Sequence, residues 1–121
     1  MKTGFGTLQD RFDELRCCVV IPSYNNAQTL AAVLDSVLAI TTSIIVVDDG
    51  STDDTPRILD TYKHIERIRF SKNKGKGYAL RKAFKRAADL GYCHAISMDS
   101  DGQHMADDLE IRCNRRDRRP R

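Results

Sequence analysis

What most constrains this chain is a repeated order: a short, uninterrupted apolar run, then a polar cluster, then a longer segment with apolar residues at helical spacing. Cys18, Val19, Val20, Ile21 and Pro22 form the first run, and Ser43, Ile44, Ile45, Val46 and Val47 the second. Continuous runs of this length, rich in β-branched residues, are the pattern of strands buried on both faces. Residues 27–40 follow the first, with Leu30, Val33, Leu34, Val37 and Leu38 on one wide face of a helix. Residues 53–64 follow the second, and Pro56 is tolerated there because it falls in the first helical turn. Residues 66–71 alternate polar and apolar, as an exposed or edge strand does, and lead through a loop at 73–77 into a helix over 78–90 closed by Gly91. Residues 93–98 make a fourth strand. Strands alternating with helices require crossover connections, so the expected fold is α/β: a mostly parallel sheet with helices on both faces. Ahead of it, Leu8, Phe12 and Leu15 share one helical face within residues 7–16. That segment could pack on the domain or lie outside it.

In open parallel sheets, ligands bind beyond the carboxyl ends of the strands. The polar clusters at 22–26, 48–53, 73–77 and 99–104 all fall at that end. Asp99 and Asp101 alternate in an extended segment, so their carboxylates can converge on one hard cation, which takes oxygen ligands and leaves positions for substrate phosphates. An isolated pair of this kind also reads as a solvated turn. Asp48 and Asp49 end the second strand, where a carboxylate can accept hydrogen bonds from a base or a ribose. Asp48, Thr52 and Asp53 read equally as turn formers and helix caps. The loop at 73–77 has two glycines that let the backbone approach a ligand, carries Lys74 and Lys76, and opens onto a helix N-terminus, a natural anion site. Lys72, Lys74, Lys82 and Lys85 read as solvated surface, His104 as structural or a phosphate contact, and His64 and His94 carry no signal.

Taken together, Val19 to Asn25, Val46 to Asp53, Asn73-x-Gly75-Lys76-Gly77 and Asp99-x-Asp101-Gly102-Gln103-His104 resemble the family-2 glycosyltransferases of the Rossmann-like GT-A fold. The Gly-Lys-Gly loop and the Asp-Gly-Gln-His ending are similar to the branch that glycosylates polyprenyl phosphates, the dolichyl-phosphate mannosyltransferase-like enzymes. Four motifs in order, each at a strand end, are far more specific than any one alone. The resemblance covers roughly residues 18–108. It implies an inverting enzyme that transfers a sugar from a nucleoside-diphosphate sugar to a polyprenyl phosphate or another lipid or glycan acceptor at a membrane surface, in cell-envelope glycan biosynthesis. It implies magnesium or manganese held by Asp101 and Gln103, with Asp99 on the sugar nucleotide or in the metal shell, and Asp99 and Asp101 as the catalytic pair. Pro22, Tyr24 and Asn25 would wall the base, Asp49 would contact it, and Lys76 and Gly77 would meet the diphosphate or ribose. The family commonly has an acidic residue where this chain has Asn26.

Residues 110–121 depart from that pattern and carry the charge. The chain has a net charge of +3, yet residues 1–111 hold 14 Lys+Arg against 16 Asp+Glu, because six Arg lie between Arg112 and Arg121. The expected organisation is an N-terminal extension at 1–16, a nucleotide-sugar-binding region at 17–109 and a basic tail at 110–121. With 40% hydrophobic residues there is enough for one core. No stretch is long and apolar enough to span a bilayer, and residues 1–16 lack the apolar centre of a secretory signal. The expected setting is cytoplasmic, peripheral to the membrane face, with no nucleic-acid partner. Cys17, Cys18, Cys93 and Cys113 lack metal-ligand spacing, and buried free thiols are expected. A dinucleotide oxidoreductase fails at the first turn, which has no G-x-G-x-x-G. The alternative is a non-catalytic nucleotide-binding fragment lacking the acceptor half. On this reading the sheet ends at the strand bearing Asp99, and its uncovered apolar face invites self-association.

Overall fold

The computed structural model describes residues 8–100 and 105–110. The elements run α1 (Leu8–Leu15), β1 (Cys17–Ser23), α2 (Ala27–Leu38), β2 (Ile44–Asp48), α3 (Thr55–Asp60), β3 (Glu66–Arg69), α4 (Lys76–Asp89), β4 (His94–Met98) and β5 (Met105–Glu110). They form one sheet in the order β3-β2-β1-β4-β5. The first four strands are mutually parallel, with Val20 opposite Ile45 and Ser97, and Val47 opposite Ile68. The α/β class and mostly parallel sheet expected from the sequence are therefore present.

The central strands β1 and β2 are buried at every residue, which is why their apolar runs are unbroken. Their side chains alternate between two cores. Val19, Ile21 and Val46 meet Leu30, Leu34 and Val37 of α2 and Leu59 of α3 on one face. Cys18, Val20, Ile45 and Val47 meet Ala79, Ala83 and Ala87 of α4 on the other. The buried stripe of α4 is alanine alone, so its backbone lies close to the sheet. Truncating a fully buried leucine such as Leu34 would cost about 2–5 kcal/mol, the usual range for a core cavity.

Three differences from the sequence expectation have physical causes, and one point that the sequence left open is decided. Helix α3 covers six residues rather than twelve: its C-terminal N–H bonds turn back at Thr61 and Tyr62 onto Ile58 and Leu59, closing the helix early. Helix α4 begins at Lys76, two residues before the expected start, because Gly75 at φ 98° makes the break from the loop. The segment at 8–15 packs on the domain: Phe12 joins the α2-side core and Gln9 accepts the Thr42 N–H at 2.7 Å, whereas Leu15 is 52% exposed. The sheet does not end at β4. Strand β5 pairs antiparallel along it, Ala95 opposite Leu109 and Met98 opposite Met105. A parallel partner would need a crossover of a dozen or more residues, and only residues 99–104 intervene.

Cys17 and Cys18 are buried and form no disulfide, as expected, but Cys93 is disulfide-bonded, which corrects the expectation of a free thiol there. No helix among the described residues is long and apolar enough to cross a membrane.

Candidate functional site

The carboxyl ends of β1, β2 and β4 and the loop before α4 converge on a cleft of about 370 Å³. Its lining is Pro22, Ser23, Tyr24, Asn26, Asp49, Asn73, Gly75, Lys76, Asp99 and Ser100.

The wall nearest β1 is set by Asn25. Its backbone is left-handed at φ 53°, a conformation Asn tolerates better than most residues. Its N–H donates to Ser51 Oγ at 2.9 Å, and its Oδ1 accepts the N–H of Thr52 at 2.8 Å and of Asp53 at 3.2 Å. Asn25 thus bolts the β1 turn to the β2 turn, and its side chain is absent from the cleft lining. Asp53 completes the joint, accepting the Ala27 N–H at 3.1 Å and the Thr55 N–H at 2.9 Å. Desolvation raises its pKa, but these bonds from Thr55 and Ala27 outweigh that and hold the carboxyl below its usual range. Asp48 is fully buried and accepts the Ser51 N–H at 3.0 Å, so it forms the turn rather than the cleft.

Asp49 governs the opposite wall. It is 3% exposed, and its carboxylate accepts the Lys74 N–H at 2.7 Å, the Gly75 N–H at 3.0 Å and the Asn73 Nδ2 amide at 3.1 Å. Backbone N–H groups converging on a carboxylate are strong, charge-assisted hydrogen bonds. They hold the 73–75 loop against β2 and present the start of α4 to the cleft. Gly50 permits the approach: at φ 76° it runs so close to the loop that a Cβ would lie 2.4 Å from Asn73 N and from the Lys72 carbonyl carbon. At the N-terminus of α4, Gly75 offers no side-chain cap, so the first-turn N–H groups and the helix dipole favour an anion.

Between the walls, Lys76 Nζ lies 2.8 Å from Asp99 Oδ1. Ser100 Oγ donates to Asn26 Oδ1 at 2.7 Å, and the Ser100 carbonyl accepts from Thr29 Oγ1 at 2.8 Å, tying the end of β4 to α2. Of the residues expected at the site, Pro22, Tyr24, Asp49, Lys76 and Asp99 come together in the lining. Asn25 and Gly77 do not line it, and Asp101 and Gln103 lie outside the described residues. Ser23, Asn26, Asn73, Gly75 and Ser100 line it without having been assigned to the site. Asn73 and Gly75 carried the signal of the glycine loop and Asn26 that of a departure from the family, whereas Ser23 and Ser100 had only a place at the carboxyl end of a strand.

A divalent cation requires oxygen ligands. Among the described residues the lining holds two carboxylates. Asp49 is taken up by N–H donors, whereas Asp99 already draws an ammonium group to one oxygen and keeps the other. The described part of the site thus fits a cation at Asp99. Among the described residues no cluster of three or more His, Cys, Asp or Glu stands ready to complete the shell.

A sheet with its polar turns gathered at the carboxyl edge, an acid-pinned loop and a basic helix start define an open α/β domain with its candidate site at the strand ends. Residues 18–118 match the glycosyl transferase family 2 model, and the chain belongs to that family. It is 31% identical over 108 residues to the UDP-N-acetylglucosamine–dolichyl-phosphate N-acetylglucosaminyltransferase of Methanococcus voltae, covering 75% of this chain and 43% of that one. It is 30% identical over 114 residues to the dolichyl-phosphate beta-glucosyltransferase of Saccharomyces cerevisiae, covering 81% and 33%. Among solved structures, glucosyl-3-phosphoglycerate synthase from Mycobacterium tuberculosis, in complex with Mn2+, UDP-glucose and phosphoglyceric acid, superposes with a TM-score of 0.62 at 25% identity, over 77% of this chain and 36% of that one. The chain spans less than half the length of these relatives.

Proposed function

We propose that the cleft binds a nucleoside-diphosphate sugar together with magnesium or manganese, as the donor site of an inverting glycosyltransferase acting on a polyprenyl phosphate or a related lipid or glycan acceptor. The observation that carries this reading is the Asp49 clamp. One carboxylate holds the Lys74 and Gly75 N–H groups, and with them the start of α4 at Lys76, across the cleft from Pro22 and Tyr24, with Asp99 at its edge. The names of the dolichyl-phosphate relatives support the acceptor class, and the superposed synthase supports a metal and a uridine nucleotide.

On this reading Pro22 and Tyr24 flank the base, with Asn25 shaping their turn. Asp49 has three of its roughly four acceptor positions filled, which leaves one for a base N–H. Lys76 and the backbone around Gly77 receive the diphosphate. Asp99, Asp101 and Gln103 would hold the metal, which supplies neutralisation of the charge that grows on the departing nucleoside diphosphate. Lys76 is then free to leave Asp99 for a phosphate oxygen. A phosphate acceptor is already ionised and needs no general base.

Saturation-transfer NMR with UDP and with GDP tests the donor site. Base and ribose protons of one nucleotide should receive saturation from the wild-type chain and lose it in Asp49→Ala. Saturation of neither nucleotide would overturn the proposal. A covalent glycosyl adduct trapped with a fluorinated donor sugar would overturn its inverting part.

A further inference from the structure

Between Glu66 and Asp89 the chain carries nine Lys and Arg and no acidic residue. Five of them have carboxylate partners: Arg67 with Asp60, Arg69 with Asp48, Lys76 with Asp99, Lys85 with Asp89 and Arg86 with Glu66. The other four, Lys72, Lys74, Arg81 and Lys82, are exposed, and among the described residues none has an ion-pair partner. Three of them are gathered in one place, and Lys72 precedes Lys74 by two residues in the same loop. Lys74, Arg81 and Lys82 all lie within 5.3–5.8 Å of the Tyr78 ring centroid, and that ring is fixed edge-on against Phe70. Elsewhere on the described surface, Arg11 is offset by Glu14 and Arg57 by Asp54.

We infer that this unpaired basic ridge, Lys74, Arg81 and Lys82 around Tyr78 with Lys72 in the loop beside them, is a docking surface for an anionic lipid membrane. Three observations favour a lipid surface over a nucleic acid. The exposed cations sit on a single helix, α4, and on the loop before it. Tyr78 is half-buried and hemmed by cations, so it offers no open face for base stacking. The ridge also continues without a break into the cleft, since Lys74 sits between the lining residues Asn73 and Gly75. Docking there would set the cleft mouth beside the headgroup layer, where a lipid-phosphate acceptor presents its phosphate. The inference rests on the proposed donor-site reading for that orientation, and on charge complementarity for binding itself. Each Lys or Arg near an anionic leaflet adds attraction that fades within a Debye length.

Vesicle sedimentation of the full chain tests it, comparing phosphatidylcholine vesicles with vesicles of phosphatidylcholine and phosphatidylglycerol. The ridge variant is Lys72→Gln/Arg81→Gln/Lys82→Gln, and the control removes three exposed charges elsewhere, Arg11→Gln/Arg57→Gln/Lys63→Gln. Wild type should partition onto the anionic vesicles alone. The ridge variant should lose roughly 100-fold in partition coefficient, as three surface charges imply, while the control stays within a few-fold of wild type and UDP binding persists in both variants. Equal losses in the two variants, or no loss in the ridge variant, would overturn the inference. So would ridge-dependent binding of a single-stranded RNA without vesicle binding. A wild type that binds vesicles through the ridge but binds neither UDP nor GDP would sink the donor-site reading and leave the ridge standing.

Discussion

The backbone N–H of Lys74 lies 2.7 Å from Asp49 Oδ1, so the carboxylate that follows β2 also fixes the loop that begins α4. Asp49→Ala removes three hydrogen bonds from a buried acid and leaves their donors without a partner. It should cost about 3 kcal/mol in urea unfolding and weaken nucleotide binding with or without metal. Asp49→Asn should fall between, because one amide oxygen can replace only part of the acceptor set. An Asp49→Ala chain of wild-type stability would show that the loop is held by something else.

The three glycines near the site should separate by mechanism. Gly50→Ala meets both a left-handed backbone and a clash with the 72–73 backbone, and should cost at least about 3 kcal/mol. Gly75→Ala has open space around the new methyl and should cost only the conformational strain, about 1–2 kcal/mol. Gly77 sits inside α4 with only an Arg81 side-chain nitrogen 3.8 Å from a built Cβ, so Gly77→Ala should be neutral or stabilising by up to about 1 kcal/mol. A loss of nucleotide affinity in that last variant, with stability intact, would mark a backbone approach by the diphosphate. Thermal unfolding in the order Gly50, Gly75, Gly77, from least to most stable, is the expected result.

Cys18 should be chemically silent in the folded chain. Burial, assisted by neighbouring Cys17, pushes its thiol from 9.0 up to about 12. Because the thiolate is the reactive form, iodoacetamide at pH 8 should label Cys18 only as fast as the domain unfolds. Labelling at the rate of a free thiol under native conditions would contradict its place under α4.

Stability should fall at both ends of the pH scale, for different residues. Asp53 and Asp60 have lowered pKa values in the folded state. At Asp60 the hydrogen bond from Arg67 leads; at Asp53 the bonds from Thr55 and Ala27 overcome desolvation. Such groups stabilise the fold above the unfolded value of 3.8, and that contribution disappears as pH drops through the lower folded value. Tyr62 is raised from 10.0 to about 12 by burial and by its hydrogen bond to Asp35. Its contribution is complete below pH 10 and is lost as pH climbs towards 12. Denaturation curves of Asp53→Asn should be shallower in the acid limb and unchanged in the alkaline one.

The parallel sheet was legible because β1 and β2 are buried on both faces and cannot tolerate a polar residue, so their runs stand out. The edge strand β3 was legible from its alternation. Strand β5 was not: Met105, Ala106, Asp107, Asp108, Leu109 and Glu110 have neither a continuous apolar run nor a strict alternation, and pairing with β4 is a tertiary fact. At the site, residues whose side chains face the ligand space, such as Tyr24 and Asp99, could be read from motif and position. The division of labour between neighbours could not. Asn25 reads as part of the base wall and Asn26 only as a departure from the family pattern, yet a left-handed turn sends Asn25 to the β2 loop and leaves Asn26 in the lining. Asp48 and Asp49 were told apart only by the resemblance, which gave the base contact to Asp49; the physical difference is strand alternation, which seals Asp48 in the turn while Asp49 reaches the loop.

The central claim is that the cleft takes a nucleoside diphosphate with a metal at Asp99, and calorimetric titration of UDP or GDP into the chain tests it most directly. In manganese the wild type should bind, and in chelator its affinity should fall on the order of 10-fold or more, since the metal offsets the repulsion between Asp99 and the phosphates. Asp99→Asn should bind with a much smaller metal dependence. Equal wild-type affinity in manganese and in chelator, or an Asp99→Asn chain that keeps the full dependence, would contradict the account.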